Sequence, residues 1–376
     1  MPTPRVALFA DTFHEVNGAA RTCREWHSFA QRRRLPFFCV RWGSAPHLST
    51  EGPVWTLDLV RSFCAFPVDP GLRFDPCLYR DVEPVAAALE SFRPDIVHIT
   101  SPGDLGILGA IMAARLKTRL ALSWHTNQHE FAARRVSKLL SWAPARPCAS
   151  AARAVERFVM DRVCWFFGRG EMILAPNPEL IALLHARTGK PVFPMGRGVD
   201  TGLFHPAKRT RTDSAVVLGF VGRLMPEKNL RLLVRLDAAL RAAGIQDFQF
   251  QFTGSGSERE WLERHLPSAR AYADLDIFVF PSRTETFGNI VQEALASGVP
   301  AMVTDAGGPR FIVRDGVTGY VASTDTQFCE RAVALARDRA LRREMAGAAR
   351  HQVEHSSWDR VFEQVYESYD RGRTGA

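Results

Sequence analysis

Pro-Ser-Arg-Thr-Glu-Thr-Phe-Gly-Asn, residues 281–289, follows an apolar strand-like run at 277–280 and leads into a helix-like run at 290–297. One carboxylate, Glu285, therefore lies in a loop at the carboxyl end of a strand, and Glu293 lies on the first turns of the next helix. Parallel α/β sheets bind ligands at this edge. Carboxylates accept hydrogen bonds from hydroxyls, and the amides at a helix start favour phosphate. The stretch predicts a site for a polyhydroxylated ligand that carries phosphate.

The same alternation of strand and helix recurs along the chain and predicts an α/β protein with parallel, doubly wound sheets. Helices are predicted at 20–33, 81–92 and 106–116, and a last helix at 357–369. The predicted strands of the first half are 5–10, 37–40, 96–99 and 120–123, and those of the second half are 216–221, 248–253, 277–280, 301–304 and 320–322.

A length of 376 residues predicts two domains. The proline- and glycine-rich segment 191–206 is interpreted as a connector, and a polar tract follows it at 208–213. The expected division is a first domain at 1–196, a linker at 197–213, a second domain at 214–356 and a terminal helical segment at 357–376.

Composition narrows the class of protein. Hydrophobic residues make up 46% of the chain, which excludes extensive disorder, and no apolar run is long enough to span a bilayer. The start of the chain lacks a signal-peptide core, and the seven cysteines contain no CxxC pair, so a cytoplasmic protein is expected. Because the basic residues are dispersed, the formal charge of +8 does not predict nucleic-acid binding. A phosphate-bearing ligand, an anionic membrane surface and a generally basic surface stay open as explanations.

The segment 130–168 interleaves arginines with aromatic and aliphatic residues. A basic amphipathic surface of this kind lies on anionic lipid in peripheral membrane proteins. An apolar face buried in the core produces the same pattern. Both interpretations stay open.

The carboxylate spacing resembles the EX7E signature of retaining glycosyltransferases with the GT-B fold, in particular family 4 of bacterial sugar transferases. Further similar segments occur in the order found in that family: Asn17-Gly18, His125-Thr126-Asn127, Gly196-Arg197-Gly198-Val199-Asp200, Gly222-Arg223-Leu224, Pro226-Glu227-Lys228-Asn229, Gly254-Ser255-Gly256, Asp305-Ala306-Gly307-Gly308-Pro309 and Asp315-Gly316-Val317-Thr318-Gly319. The resemblance implies two Rossmann-like domains facing a central cleft, with the C-terminal helix returning to the first domain.

The resemblance also implies a role for individual residues. Arg223 and Lys228 would hold the donor diphosphate, for which a planar guanidinium and a compact ammonium are suited. His125 and Glu285 would face the transferred sugar, and Glu293 would accept from the ribose hydroxyls. Further donor or substrate contacts are expected from Gly18, Gly222, Gly254 and the backbone amides of Phe287, Gly288 and Asn289. Exposed charges and helix-start acids would give similar local patterns.

No metal site and no cofactor are predicted. Asp274-Leu275-Asp276 formally matches a metal-binding DxD pattern, but it immediately precedes a buried strand and is interpreted as a loop-to-strand junction. The transferases that the chain resembles need no divalent ion.

One departure from the family pattern concerns recognition of the nucleotide base. A helix-like run from Gly254 to about 266 is joined directly to 271–274, where the family usually has another strand, a base-contacting loop and a short helix. Because the missing loop would contact the nucleotide base, the alternative function stays open: a protein that binds a nucleotide sugar without catalysing transfer. Phosphorylase-like and epimerase activities on a related fold are less consistent with the chain length and with the EX7E spacing.

The resemblance implies transfer of a hexosyl group from a UDP- or GDP-linked sugar, with mannose and glucose as the sugars common among relatives. Anomeric configuration would be retained, by attack on the face that the diphosphate leaves. The acceptor would be a lipid or a glycan of the cell envelope. A peripheral position at the inner face of the membrane is the accompanying expectation, and the oligomeric state is left open.

Overall fold

The computed structural model of the protein describes residues 3–15, 17–69, 72–140, 142, 144–265 and 274–374. It divides into two compact units. The first combines Met1–Gly196 with Val361–Ala376, and the second comprises Arg197–Arg360. The predicted linker, 197–213, therefore belongs to the second unit, and most of the last helix belongs to the first.

The first unit begins as a series of alternating strands and helices. Its elements in chain order are β1 Val6–Ala10, α1 Gly18–Arg33, β2 Phe37–Trp42, β3 His47–Glu51, β4 Val54–Leu59, β5 Phe66–Asp69, β6 Leu72–Phe74, α2 Val82–Phe92, β7 Ile96–Ile99, α3 Asp104–Leu116, β8 Arg119–Ser123, α4 Gln128–Leu139, α5 Ala145–Phe167, β9 Met172–Ala175, α6 Pro178–Thr188 and β10 Val192–Pro194.

The second unit repeats this alternation on a smaller scale. Its elements are β11 Val216–Val221, α7 Leu232–Ala242, β12 Phe248–Thr253, α8 Arg259–His265, β13 Ile277–Phe280, α9 Asn289–Ala296, β14 Ala301–Thr304, β15 Gly319–Ala322, α10 Asp325–Arg337 and α11 Arg339–Val353. The last helix, α12 Trp358–Thr374, continues into the first unit.

Each unit is built on a predominantly parallel sheet. The first sheet has the strand order β10-β9-β8-β7-β1-β2-β4-β3, with only β3 antiparallel to its neighbour. The second has the order β12-β11-β13-β14-β15, and its pairings are parallel. The strands β1, β7, β13 and β14 are buried along their whole length, as expected for sheets covered by helices on both faces. The predicted fold class, two doubly wound Rossmann-like domains, is confirmed.

Two predictions about local structure are wrong. Residues 192–194 were expected in a connector but form the edge strand β10; proline is tolerated there because an edge strand need not donate on both sides. The helix expected from Gly254 starts only at Arg259, because Gly254 and Gly256 have φ of 148° and 154°, outside the helical region. The sequence analysis does not predict the strands β3 to β6 or the strand β9. The shortened junction inferred beyond residue 266 lies outside the described residues.

The core of the first unit joins the last helix to the sheet through Trp26 of α1. Its ring is fully buried, stacks on Phe362 of α12 with centroids 5.2 Å apart, and meets the edge of His98 on β7 at 4.8 Å. Because Trp26 contacts both the sheet and α12, it holds the C-terminal helix against its own unit.

We expect Trp26→Ala to lower the free energy of unfolding of the first unit by about 3–5 kcal/mol, since the change leaves a large cavity under α12. Denaturant unfolding followed by circular dichroism measures the effect. Phe63→Ala is the control, because Phe63 is 99% exposed and its removal should change stability by less than about 0.5 kcal/mol. Equal effects of the two substitutions would contradict the packing role of Trp26.

Candidate active site

The sequence motifs of the second unit meet at the carboxyl edge of its sheet. The chain runs from β11 outward to β12 and then crosses to β13 on the other side of β11. The loops that follow β11 and β13 therefore leave the sheet side by side at a topological switch point, where open α/β sheets bind ligands. The first of these loops carries Lys228, and the second carries Glu285.

An ion pair joins the two loops. The Nζ atom of Lys228 lies 2.6 Å from Oε2 of Glu285, and the two side chains are 10% and 28% exposed. The ammonium also lies 5.5 Å from the ring centroid of Phe280 at the end of β13. An ammonium in such a desolvated position requires a counter-charge, and Glu285 supplies it. The structure thus brings together two residues that are 57 positions apart in the sequence.

The backbone of Glu285 is held by the loop after β14. The amide of Gly308 donates a 2.7 Å hydrogen bond to the carbonyl of Glu285. A Cβ atom added at Gly307, whose φ is 69°, would lie 2.5 Å from the same carbonyl oxygen. Only glycine therefore allows this close approach, and the loop fixes the backbone of Glu285.

Gly222 and Gly254 form a second close backbone contact at the same edge. A Cβ atom at Gly254 would lie 1.9 Å from the carbonyl oxygen of Gly222, and the amide of Gly222 donates to the carbonyl of Thr253 at 2.9 Å. The two loops after β11 and β12 are therefore packed backbone to backbone. In this structure Gly254 supports the loop of Gly222.

The predicted amide donors lie at the start of α9. Gly288 is the N-cap with a φ of 105°, and no side chain caps the helix. The amides of Val291 and Gln292 donate to the carbonyl of Gly288 at 2.9 and 3.4 Å, so the first-turn amides that have no intrahelical acceptor by position are those of Asn289 and Ile290. Asn289 is the first helical residue. Phe287 packs against the core before the turn, and Glu293 is buried on the helix with 7% exposure.

Arg223, the other predicted diphosphate ligand, has a more open position. Its side chain is 55% exposed and lies 3.8 Å from Glu227, a long, solvated ion pair. Lys228 is therefore the cation that the structure holds in place, whereas Arg223 keeps conformational freedom.

In the first unit, His125 follows β8 at the carboxyl edge of the sheet. Its Nε2 atom lies 2.6 Å from Oγ of Ser123, and the same oxygen lies 2.8 Å from Nε2 of His98. The turn beyond is fixed by Trp124, whose Nε1 donates to Asn127 at 2.9 Å. His125 is half-buried at the end of this strand.

Gly18, the other predicted contact of the first unit, is the first residue of α1. The side chain of Asn17 caps the helix by accepting from the amide of Ala20 at 2.8 Å. Asn17 thus serves the helix, while the amide of Gly18 is one of those without an intrahelical partner.

A buried carboxyl lies beside this turn. Asp11, directly after β1, accepts from the amide of Leu105 at 2.8 Å at the start of α3. Burial, reinforced by the nearby charge of Asp104, raises the pKa of Asp11 to about 7. In the first sheet the strand order reverses between β1 and β7, and Asp11 links this point to the start of α3 by its hydrogen bond.

The Asp274-Leu275-Asp276 segment serves the fold. Asp274 accepts from the backbone and hydroxyl of Thr210 at 2.8 Å, and Asp276 pairs with Arg209 and Arg211. Within the described ranges, no group of three or more His, Cys, Asp or Glu side chains could hold a metal ion.

Several residues that build the site were not singled out from the sequence. Gly307 and Gly308 belong to one of the motifs of the resemblance, but their support of Glu285 depends on the neighbouring loop. No sequence pattern connects Ser123, His98 or the C-terminal helix with His125. A histidine inside the otherwise apolar run Ile-Val-His-Ile at 96–99 is the one sequence signal that could have indicated it.

Two family models match the chain in sequence. The model described as "Glycosyltransferase Family 4" matches residues 16–203, and "Glycosyl transferases group 1" matches residues 215–338. Together they cover both units. The first model covers the motifs from Asn17 to Asp200, and the second covers the motifs from Gly222 onward.

Characterised relatives cover most of the chain. A GDP-mannose-dependent alpha-mannosyltransferase of Mycolicibacterium smegmatis is 33% identical over 75% of this chain and 75% of its own. The protein of the same name from Corynebacterium glutamicum is 30% identical over 76% of this chain and 69% of its own.

Solved structures share the fold along the whole chain. Sucrose-phosphate synthase from Thermosynechococcus elongatus superposes with a TM-score of 0.70 at 16% identity, covering 99% of both chains. The Anabaena protein HepE, solved with UDP and glucose, superposes with a TM-score of 0.62 at 14% identity over 98% of this chain and 100% of its own. The resemblance drawn from the motifs is confirmed, and the chain belongs to glycosyltransferase family 4, with the GT-B fold.

Proposed function

We propose that this glycosyltransferase transfers a mannosyl group from GDP-mannose to a lipid or glycan acceptor with retention of anomeric configuration. The choice of donor is supported by three relatives, 30–33% identical to the chain, that are named as GDP-mannose-dependent alpha-mannosyltransferases. A nucleoside diphosphate at this fold is supported by the complexes of HepE with UDP.

The ion pair between Lys228 and Glu285 is the observation that carries the proposal. In a nucleotide sugar, the anomeric carbon is bonded directly to the diphosphate, so a cation for the diphosphate and an acceptor for the sugar hydroxyls must lie within a few ångströms of each other. A separation of 2.6 Å between Nζ and Oε2 meets this requirement. Lys228 would stabilise the negative charge that develops as the diphosphate leaves.

In the proposed step, the bond between the anomeric carbon and the diphosphate oxygen breaks and a bond to the acceptor oxygen forms on the same face. The acceptor proton passes to the departing diphosphate, so the transfer needs no external base. His125 would hydrogen-bond the transferred sugar while positive charge develops on the sugar ring. The amides of Asn289 and Ile290, at the start of α9 beside Gly288, would contact the diphosphate.

A surface of α5 supports a membrane-bound acceptor. Phe158 and Trp165 are 64% and 56% exposed. An arginine lies over each ring: Cζ of Arg162 is 5.7 Å from the ring centroid of Phe158, and Cζ of Arg169 is 3.2 Å from that of Trp165. We call these four residues the aromatic–basic face. Exposed aromatic rings between arginines suit the boundary between anionic headgroups and acyl chains. We propose that this face docks on an anionic membrane on its cytoplasmic side.

The described part of the chain contains no helix that is both long and apolar enough to cross a bilayer.

We expect the protein to consume GDP-mannose and to add one hexose to a component of a bacterial membrane extract. Mass spectrometry of the lipids, with UDP-glucose as the competing donor, measures the transfer, and NMR of the product anomer tests retention. Binding of GDP-mannose in calorimetry without release of GDP would instead favour the non-catalytic alternative. Preferential use of UDP-glucose would overturn the proposed donor.

Glu285→Gln and Lys228→Ala should each lower kcat on the order of a hundredfold, because each removes one half of the charge pair at the reacting bond. Initial rates of GDP release in the presence of acceptor measure the loss, and circular dichroism checks that the variants are folded. Arg241→Ala is the matched control: it breaks the exposed ion pair with Asp237 in the same unit and should leave kcat unchanged. Full turnover by either site variant would refute the assignment.

Binding to vesicles tests the aromatic–basic face. Since an arginine near an anionic surface contributes about 1 kcal/mol, Arg162→Gln combined with Arg169→Gln should weaken binding roughly thirtyfold. Cosedimentation with phosphatidylglycerol vesicles measures this, with neutral phosphatidylcholine vesicles for comparison.

The matched control for vesicle binding is Arg339→Gln combined with Arg343→Gln, two exposed arginines of α11 in the second unit. Equal losses in both double variants would mean that overall charge, and not this face, drives binding.

A further inference from the structure

A chain of hydrogen bonds runs through the core of the first unit from the C-terminal helix to His125. The hydroxyl of Tyr369 on α12 lies 2.8 Å from Nδ1 of His98, whose Nε2 lies 2.8 Å from Oγ of Ser123. That oxygen in turn lies 2.6 Å from Nε2 of His125. Tyr369, His98 and Ser123 are all fully buried. A residue near the end of the sequence is thus connected to the carboxyl edge of the sheet by three direct contacts.

The protonation states of the buried members are set by their surroundings. Burial lowers the pKa of His98 to about 3, so its imidazole is neutral and carries one N–H. Burial also raises the pKa of Tyr369 well above its ordinary value, so the phenol keeps its proton. His98 is clamped between the edge contact with Trp26 and the ring of Tyr369, with centroids 4.8 Å and 6.0 Å away, which fixes the plane of its imidazole.

The direction of the hydrogen bonds follows from counting donors. Among the described residues, Nδ1 of His98 is the acceptor that the structure provides for the Tyr369 hydroxyl. If His98 donated from Nδ1 instead, the phenolic proton would be buried without a partner, at a cost of about 1–3 kcal/mol. His98 therefore accepts at Nδ1, and its single proton lies on Nε2.

The remaining two contacts are then determined. His98 donates from Nε2 to the oxygen of Ser123, and the hydroxyl proton of Ser123 points to Nε2 of His125. A neutral imidazole that accepts at Nε2 carries its proton on Nδ1.

We propose that Tyr369, His98 and Ser123 are positioning residues that hold the imidazole at the end of β8 in the tautomer protonated at Nδ1. The ring plane is set by the Ser123 contact, and the Nδ1–H group becomes its hydrogen-bond donor. The value of this arrangement for catalysis rests on the role proposed above for His125. The assignment of the tautomer rests on the hydrogen bonds alone and does not depend on that role. A histidine held as a donor suits hydrogen bonding to a sugar hydroxyl, whereas the other tautomer would present a lone pair there.

Tyr369→Phe tests the chain with minimal disturbance, since it removes one oxygen and keeps the ring. Without the phenolic donor, His98 can move its proton to Nδ1 and accept from Ser123, which releases His125 to the Nε2–H tautomer. NMR of protein with isotope-labelled histidine nitrogens reports which ring nitrogen of His125 is protonated. We expect Nδ1–H in the native protein and a shift toward Nε2–H in Tyr369→Phe and in Ser123→Ala.

Tyr366→Phe is the matched control. Tyr366 is also buried on α12, one turn before Tyr369, and its hydroxyl takes no part in the contacts between His98 and His125. The same chemical change there should leave the tautomer of His125 unaltered. A tautomer of His125 that is Nε2–H in the native protein, or that is the same in all variants, would overturn the proposal.

Kinetics supply the second readout. Tyr369→Phe and Ser123→Ala should lower kcat on the order of tenfold to a hundredfold while leaving the KM for the donor nearly constant, because the loss is one of orientation. Tyr366→Phe should leave both parameters unchanged. Full activity of His125→Ala would reject the catalytic role of His125 but not the tautomer, so that the two proposals fail by different results. An equal fall in kcat for Tyr366→Phe would mean that the packing of α12, and not the hydrogen bonds from Tyr369 to His125, is responsible for the loss of activity.

Discussion

Parallel pairing of buried strands is the constraint on which both units depend. When every strand of a sheet runs in the same direction, all the loops that begin a helix emerge at one edge, whatever their distance in the sequence. In the second unit this brings the loop of Lys228 beside that of Glu285, and in the first it brings the turn of Gly18 and the end of β8 to a common edge. The chemistry of this chain is consequently concentrated in short loops, while the strands themselves serve the core.

Close backbone packing then converts this common edge into a site with fixed geometry. Gly254 lets the loop after β12 rest on Gly222, and Gly307 and Gly308 let the loop after β14 rest on Glu285. In each case any side chain would overlap a carbonyl oxygen. Glu285 is accordingly held at two points: the amide of Gly308 binds its backbone carbonyl, and the ammonium of Lys228 binds its carboxylate. Preorganisation of this kind matters for charge stabilisation because the groups need not reorient as the reaction proceeds.

The sequence predicts those parts of the structure whose signal is local. Apolar runs such as 277–280 and 301–303 mark strands covered on both faces, and these strands occur where predicted. The strand β3 is polar and mostly exposed, and β10 lies among prolines, so neither has a pattern that differs from a loop. At the site, the residue types of Lys228 and Glu285 could be recognised, but their contact follows from strand order. The connection of Tyr369 to His98 spans 271 positions and leaves no periodic trace.

The buried hydrogen bonds from Tyr369 to His125 do more than fill space in the core, as their energetics show. A phenol, an imidazole and a hydroxyl in a core are favourable only when each group has a partner, and phenylalanine or leucine would fill the same space without that requirement. Here the partners form a single sequence of contacts that ends at the half-buried His125, just beyond the end of β8. Loss of one donor would leave the next group unsatisfied, so the orientation of His125 is coupled to a helix that contributes no residue to the edge itself. The C-terminal helix therefore completes the first unit in two ways, by the stacking of Phe362 on Trp26 and by the proton that Tyr369 donates.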